Sequence, residues 1–142
     1  MLAQIVLFDG FDPLDVIAPY EALDREGVTV ATVCGGSLVL AMAGLIGRRP
    51  ATTHRMGLEV LTAAGVRALD VRVVDDGDLV TSSSVTSGLD LGLYLLEREL
   101  GPEVAIAVEE LIAHERRGTV WRATGAGRAA GAGIGGHRVA SA

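Results

Sequence analysis

A single cysteine, Cys34, stands in Val33-Cys34-Gly35-Gly36-Ser37, between the β-rich run VTVATV and the short apolar stretch LVLAMA. A lone cysteine in an apolar sequence is ordinarily a small, inert core residue. Here a strand runs straight into two glycines that permit a tight turn into a helix, which presents the thiol at the carboxyl edge of a sheet. Open α/β sheets bind ligands at that edge. The N–H groups of the helix start favour a thiolate. An ordinary thiol near pKa ~8.5 must shift by about two units, or ~2.7 kcal/mol, to be mostly ionised near neutral pH. A helix start supplies ~0.3–1 kcal/mol, up to ~2 when well placed, so a second group is required.

Asp15 and His54, each expected near the end of a strand, are the candidates for that group. An ionised Asp15 would oppose the thiolate. It helps only when protonated and donating a hydrogen bond, the pair sharing one proton. A charged His54 helps directly, although a lone histidine at a strand end is more often a structural hydrogen bonder. His114, next to Glu115, Arg116 and Arg117 on the last helix, reads as surface.

Other constellations have simpler explanations. Gly131-Ala132-Gly133-Ile134-Gly135-Gly136 satisfies G-x-G-x-x-G, but it follows no strand and opens no helix, the context a phosphate cradle needs. Asp75, Asp76 and Asp78 have the carboxylates of a hard-metal site. Around Gly77 they read instead as a hairpin turn, and no metal is expected. Ser82, Ser83, Ser84, Thr86 and Ser87 precede a helix, so N-capping explains at least one of them.

The elements that must position these residues alternate between strand and helix. Residues 3–8, AQIVLF, read as a strand buried on both faces. Asp12-Pro13 looks like a cap with a first-turn proline, and a helix is expected from Pro19 to about Glu26. Residues 28–33 form the second strand and 51–53 a short one. Met56, Val60, Leu61 and Ala64 mark a helix closed by Gly65. Residues 71–74 and 79–83 flank the aspartate turn as a hairpin. Leu89, Leu93, Leu96 and Leu100 mark a long helix, broken by Gly101-Pro102 before a second marked by Val104, Val108, Leu111 and Ile112. The alternation gives an α/β class with a mostly parallel sheet.

The 142 residues suit one core. All basic charge is arginine, 12 against 18 acids, for a net charge of −6. That balance argues against nucleic-acid binding, which requires a basic stripe. Residues 122–142 hold no acid, and 13 of the 21 are Gly or Ala, so they read as a disordered tail after a domain at 1–121. One cysteine excludes an internal disulfide. The N-terminus lacks a basic region before its apolar run, and no apolar run approaches the ~18 residues that span a bilayer, so a cytoplasmic protein with no membrane partner is expected.

Three ordered motifs carry a family resemblance across residues 3–121: IVLFDGFDPLDVIAPYEAL, ATVCGGSLVLAMAGLIGRRPATTH and VRVVDDGDLVTSSSVTSGLDLGLYLLERELG. They resemble the ThiJ/PfpI superfamily, which is class I glutamine amidotransferase-like, and within it the isonitrile hydratase-like branch. The resemblance implies a flavodoxin-like three-layer sandwich, a cofactor-free site for a small-molecule substrate, and a homodimer. Cys34 matches the family's nucleophile-elbow cysteine, Asp15 its acidic residue beside the sulfur, and His54 the histidine after its ATT motif. Isonitrile hydratases typically have Thr after the cysteine. Here Gly35 leaves only its N–H as an oxyanion donor. The chain also resembles a family member with a deletion around residues 26–28, where a central strand and its Gly-Gly loop would lie. The first two strands must then pair directly, or their edges must be filled by another chain.

Three functional readings follow from these residues. The first is a hydro-lyase that hydrates isonitriles to N-substituted formamides through a Cys34 thiolate, with Asp15 as acid. The second is a non-catalytic, redox-responsive thiol protein. The third is an inactive, truncated family member. A transcription-factor role would need a fused DNA-binding domain, which is not expected in these residues.

Overall fold

The structure, a computed structural model, describes residues 3–6 and 29–123. Strand β1 (Ala3–Val6) lies beside β2 (Thr29–Val33), and β2 beside β6 (Leu79–Ser82), all parallel. The sheet continues through β5 (Val73–Asp75), antiparallel to β6, to β7 (Trp121–Arg122), parallel to β5. The order is β1-β2-β6-β5-β7, a mostly parallel sheet as the sequence implied. Ala3 faces Thr29 and Val6 faces Thr32, so the first two strands do pair directly. The crossover between them falls outside the described residues, and with it the helix expected at Pro19–Glu26 and Asp15. The tail and its glycine motif beyond residue 123 lie outside them too.

All five residues of β2 are buried, as a strand covered on both faces requires. Its alternating side chains divide the core. Val30 joins Leu40, Ala41, Ile46, Ala51, Leu61, Val66 and Leu79 on one face. Ala31 and Val33 join Val73, Val80, Leu91, Tyr94 and Leu95 on the other. Helices α1 (Gly36–Met42) and α2 (Leu58–Ala63) supply the first cluster, and α3 (Ser87–Leu100) the second. Helix α4 (Pro102–Ile112) packs outside α3 and buries only Ala105. Three layers result.

The Asp75–Asp78 turn forms where expected, with Gly77 at φ +86° and its N–H 2.7 Å from Asp75 Oδ1. Its carboxylates have further partners. Arg49 Nε reaches Asp76 Oδ2 at 2.6 Å and also pairs with Asp78. The Tyr94 hydroxyl donates to Asp75. Burial and that neighbouring carboxylate push Tyr94 up to about 12.

Several expectations need correction. The strand at 51–53 is β3 (Pro50–Ala51), paired with β4 (Arg67–Ala68), which no periodicity foretold. The helix at 55–64 starts with a 3-10 turn, Arg55–Gly57. The serine run does not cap α3: Thr86 holds the N-cap position without a side-chain bond. Ser87 Oγ instead accepts the Ser84 N–H at 2.8 Å, which pins the loop against the helix start.

Candidate active site around Cys34

Strand β2 ends at Val33, and the next residue turns sharply. Cys34 has φ +56°, the left-handed region that costs a residue with a Cβ about 1–2 kcal/mol. The conformation is held from several directions. Its N–H extends the β2–β6 ladder to Ser82 O at 3.0 Å. Its carbonyl oxygen accepts the Thr53 hydroxyl at 2.7 Å. Leu38 N–H bonds the carbonyl of Gly35, the residue just before α1. Cys34 thus stands half-buried at the carboxyl end of β2, packed against the core cluster of Val33, Val80 and Leu91 and followed by α1. Backbone strain of this kind clusters at active sites and ligand clamps, which makes Cys34 the candidate residue of the site.

Gly35 sits at φ −71°, which any residue can adopt, and a Cβ there would meet no atom within 4 Å. Neither backbone nor packing demands glycine at this position.

His54 follows Thr53 and holds the N-cap position of the 3-10 turn without a side-chain cap bond. Its half-buried ring packs over Gly57, where a Cβ would come within 3.0 Å of both His54 Nε2 and Leu38 Cδ1. The imidazole therefore lies beside α1, the helix that follows the elbow. Among the described residues no hydrogen bond joins it to the Cys34 sulfur. The structure thus brings Cys34, Gly35 and the neighbourhood of His54 together, whereas Asp15 lies outside the described residues.

His114 is not a plain surface residue. Its Nε2 lies 2.9 Å from Asp90 Oδ1, and Asp90 is only 4% exposed. Burial alone would raise the Asp90 carboxyl. Bonds from His114, Arg72 and the Arg117 N–H outweigh it, and the group titrates below its ordinary range. This cluster ties the segment after α4 to α3. Sequence reasoning missed Asp90, whose only signal was an acid inside the apolar stripe LDLGLYLL. A cleft of about 320 Å³ lined by Arg72, Asp90, Tyr94 and Arg116 adjoins this cluster and includes no elbow residue.

Residues 25–98 match the DJ-1/PfpI family model. Over 103 residues the chain is 40% identical to the isonitrile hydratase of Pseudomonas putida, covering 72% of this chain and 44% of that protein. It is 34% identical over 108 residues to the HTH-type transcriptional regulator CdhR of Pseudomonas aeruginosa, covering 71% and 32%. The chain spans less than half the length of these curated relatives. A ThiJ/PfpI family protein from Pseudomonas syringae superposes with a TM-score of 0.61 at 27% identity, over 75% of this chain and 45% of that one. Schizosaccharomyces pombe DJ-1 shares the fold at a TM-score of 0.63 and 22% identity, over 78% and 62%. With a matching family model across half its length and an α/β sandwich of the same kind, this chain belongs to the DJ-1/PfpI family.

Proposed function

We propose that the chain is a cofactor-free, cysteine-dependent hydratase of the isonitrile hydratase kind. The observation that carries this reading is Cys34 in a left-handed elbow at the end of β2, half-buried and leading through Gly35 into α1. The 40% identity to a Pseudomonas putida isonitrile hydratase supports the substrate class.

In the proposed reaction the Cys34 sulfur adds to the terminal carbon of R–NC, and that carbon takes a proton from Asp15. The product is a thioimidate, S–CH=N–R. Water then adds to the same carbon, its lone pair forming the C–O bond as the nitrogen is protonated. The Gly35 N–H faces the developing oxygen charge. Collapse breaks the C–S bond, returns the proton to the thiol–Asp15 pair and releases HC(=O)–NH–R. Atoms balance as isonitrile plus water, with no redox change. His54 supports the charge at the elbow as a positioning group beside α1.

The test is turnover of a small alkyl isonitrile followed by formamide appearance. Wild type should turn over and Cys34→Ala should not. Undiminished activity in Cys34→Ala would sink the proposal. A second reading takes support from the 34% identity to an HTH-type transcriptional regulator. On that reading Cys34 is a sensing thiol. Selective peroxide oxidation of Cys34, read by intact mass, without turnover of any isonitrile would favour it. Absence of both reactivities would leave an inactive family member. A homodimer is part of the proposal and is checked by sedimentation equilibrium.

A further inference from the structure

We propose that Thr53 is a positioning residue that aims the Gly35 N–H at the reacting centre by holding the Cys34 carbonyl. This deepens the hydratase reading above and rests on it for the reaction, although not for the geometry.

A trans peptide is planar, so its C=O and N–H point in opposite directions. The plane between Cys34 and Gly35 has two soft neighbours: Cys34 in the left-handed region and a glycine. Rotation of that plane would swing the Gly35 N–H out of the direction that the Cys34 carbonyl now sets for it. Helix α1 does not prevent this, because the Leu38 N–H goes to Gly35 O rather than to Cys34 O. The oxygen is held instead by Thr53 Oγ1 at 2.7 Å. Ser37 Oγ also lies 3.5 Å from it, but the one Ser37 proton is committed to Thr52 O at 2.6 Å.

Thr53 can hold the plane because it is itself held. It is 1% exposed, and Thr52 beside it is fully buried. The Thr52 N–H donates to Thr81 Oγ1 at 2.8 Å, tying the segment to β6. The Thr52 hydroxyl donates to Val71 O at 2.9 Å. A chain of buried hydroxyls thus runs from β6 and the β5 side to the elbow. With the carbonyl pulled inward to Thr53, the Gly35 N–H faces the opposite way. The bond to the carbonyl also polarises the peptide and makes its N–H a stronger donor.

The test compares Thr53→Val, which keeps the shape and removes the hydroxyl, with Thr53→Ser, which keeps the hydroxyl. Three measurements are made: the Cys34 carbonyl ¹³C and Gly35 amide ¹H–¹⁵N resonances, the iodoacetamide alkylation rate of Cys34, and steady-state hydration of a small alkyl isonitrile. In Thr53→Val the Cys34 and Gly35 resonances should move, and the alkylation rate should change. Its kcat should fall by about tenfold to a hundredfold with KM nearly unchanged, less than the ~10²–10³ lost with a whole oxyanion donor. Thr53→Ser should restore all three.

Unmoved Cys34 and Gly35 resonances in folded Thr53→Val overturn the proposal. So does a moved resonance with wild-type kcat and wild-type alkylation. If wild type hydrates no isonitrile, the hydratase reading fails by itself, and the resonances with the alkylation rate still decide the clamp. Should Thr53→Val not unfold cooperatively, Ser37→Ala, which releases Thr52 O and slackens the same segment, is read by the same measurements.

Discussion

At Cys34 chemistry and stability pull against each other. A left-handed backbone angle at a residue with a Cβ costs about 1–2 kcal/mol, whereas glycine bears it freely and loses about 0.5–1 kcal/mol through unfolded-state entropy. Cys34→Gly should therefore be more stable than Cys34→Ala by about 0.5–1 kcal/mol in denaturant titration, with both variants devoid of thiol chemistry. Equal midpoints for the two would show that the elbow is not strained. The neighbouring position offers the opposite experiment. Gly35 has ordinary angles and open space around its Cα, so Gly35→Thr should fold with wild-type stability. On the hydratase reading it should also raise isonitrile turnover by adding a hydroxyl next to Cys34. A loss of stability above about 1 kcal/mol, as overpacking would bring, would contradict the open space.

Among the elements, the segment after α4 is tied to α3 by the buried carboxylate of Asp90, with the Arg116–Glu97 pair beside it. Asp90 on α3 accepts from Arg72, His114 and the Arg117 N–H, and those bonds fasten residues 114–117 against the helix. Its folded-state carboxyl titrates below the unfolded value of 3.8. The stabilisation is accordingly present above that pH and is lost as pH falls through the folded value. Asp90→Asn should cost about 2–3 kcal/mol at neutral pH, the scale of hydrogen bonds to a charged group. It should also flatten the loss of stability below about pH 4. An acid limb as steep as that of wild type would assign the acid sensitivity to other carboxylates.

Across the whole molecule, β2 and β6 are shared by both halves of the core. Val30 and Leu79 face one cluster while Ala31 and Val80 face the other, so neither can melt without exposing the strands the other needs. Leu61→Ala in the first cluster and Leu91→Ala in the second should each cost about 2–5 kcal/mol. Both residues are fully buried. Fluorescence and far-ultraviolet circular dichroism should shift together in each variant, as one transition. Separate transitions would mean that the two faces fold independently.

Much of this arrangement was legible in the order of residues. The apolar run of β2 followed by Cys34-Gly35-Gly36 announces a strand, a tight turn and a helix, because burial on two faces demands continuous hydrophobicity and a turn demands small residues. The hairpin around Gly77 and the break at Gly101-Pro102 were likewise local, set by backbone preferences within a few positions. Strands β3, β4 and β7, at two residues each, are too short to carry a period, and partners far along the chain hold them in place. The family motifs named Cys34, Asp15, Gly35 and His54 as a site, and Asp15 lies outside the described residues. They said nothing of the left-handed angle at Cys34 or of the hydroxyls that hold it. Thr53 looked like one polar residue in a short run, and its role depends on a 2.7 Å contact across 19 positions of sequence. Asp90 similarly meets Arg72, His114 and Arg117 only after the sheet and helices have packed. Local patterning specifies which elements form, because it acts through neighbouring dihedrals and one-sided burial. The pairing of polar groups distant in sequence is decided by tertiary structure, since only packing sets the distance between them.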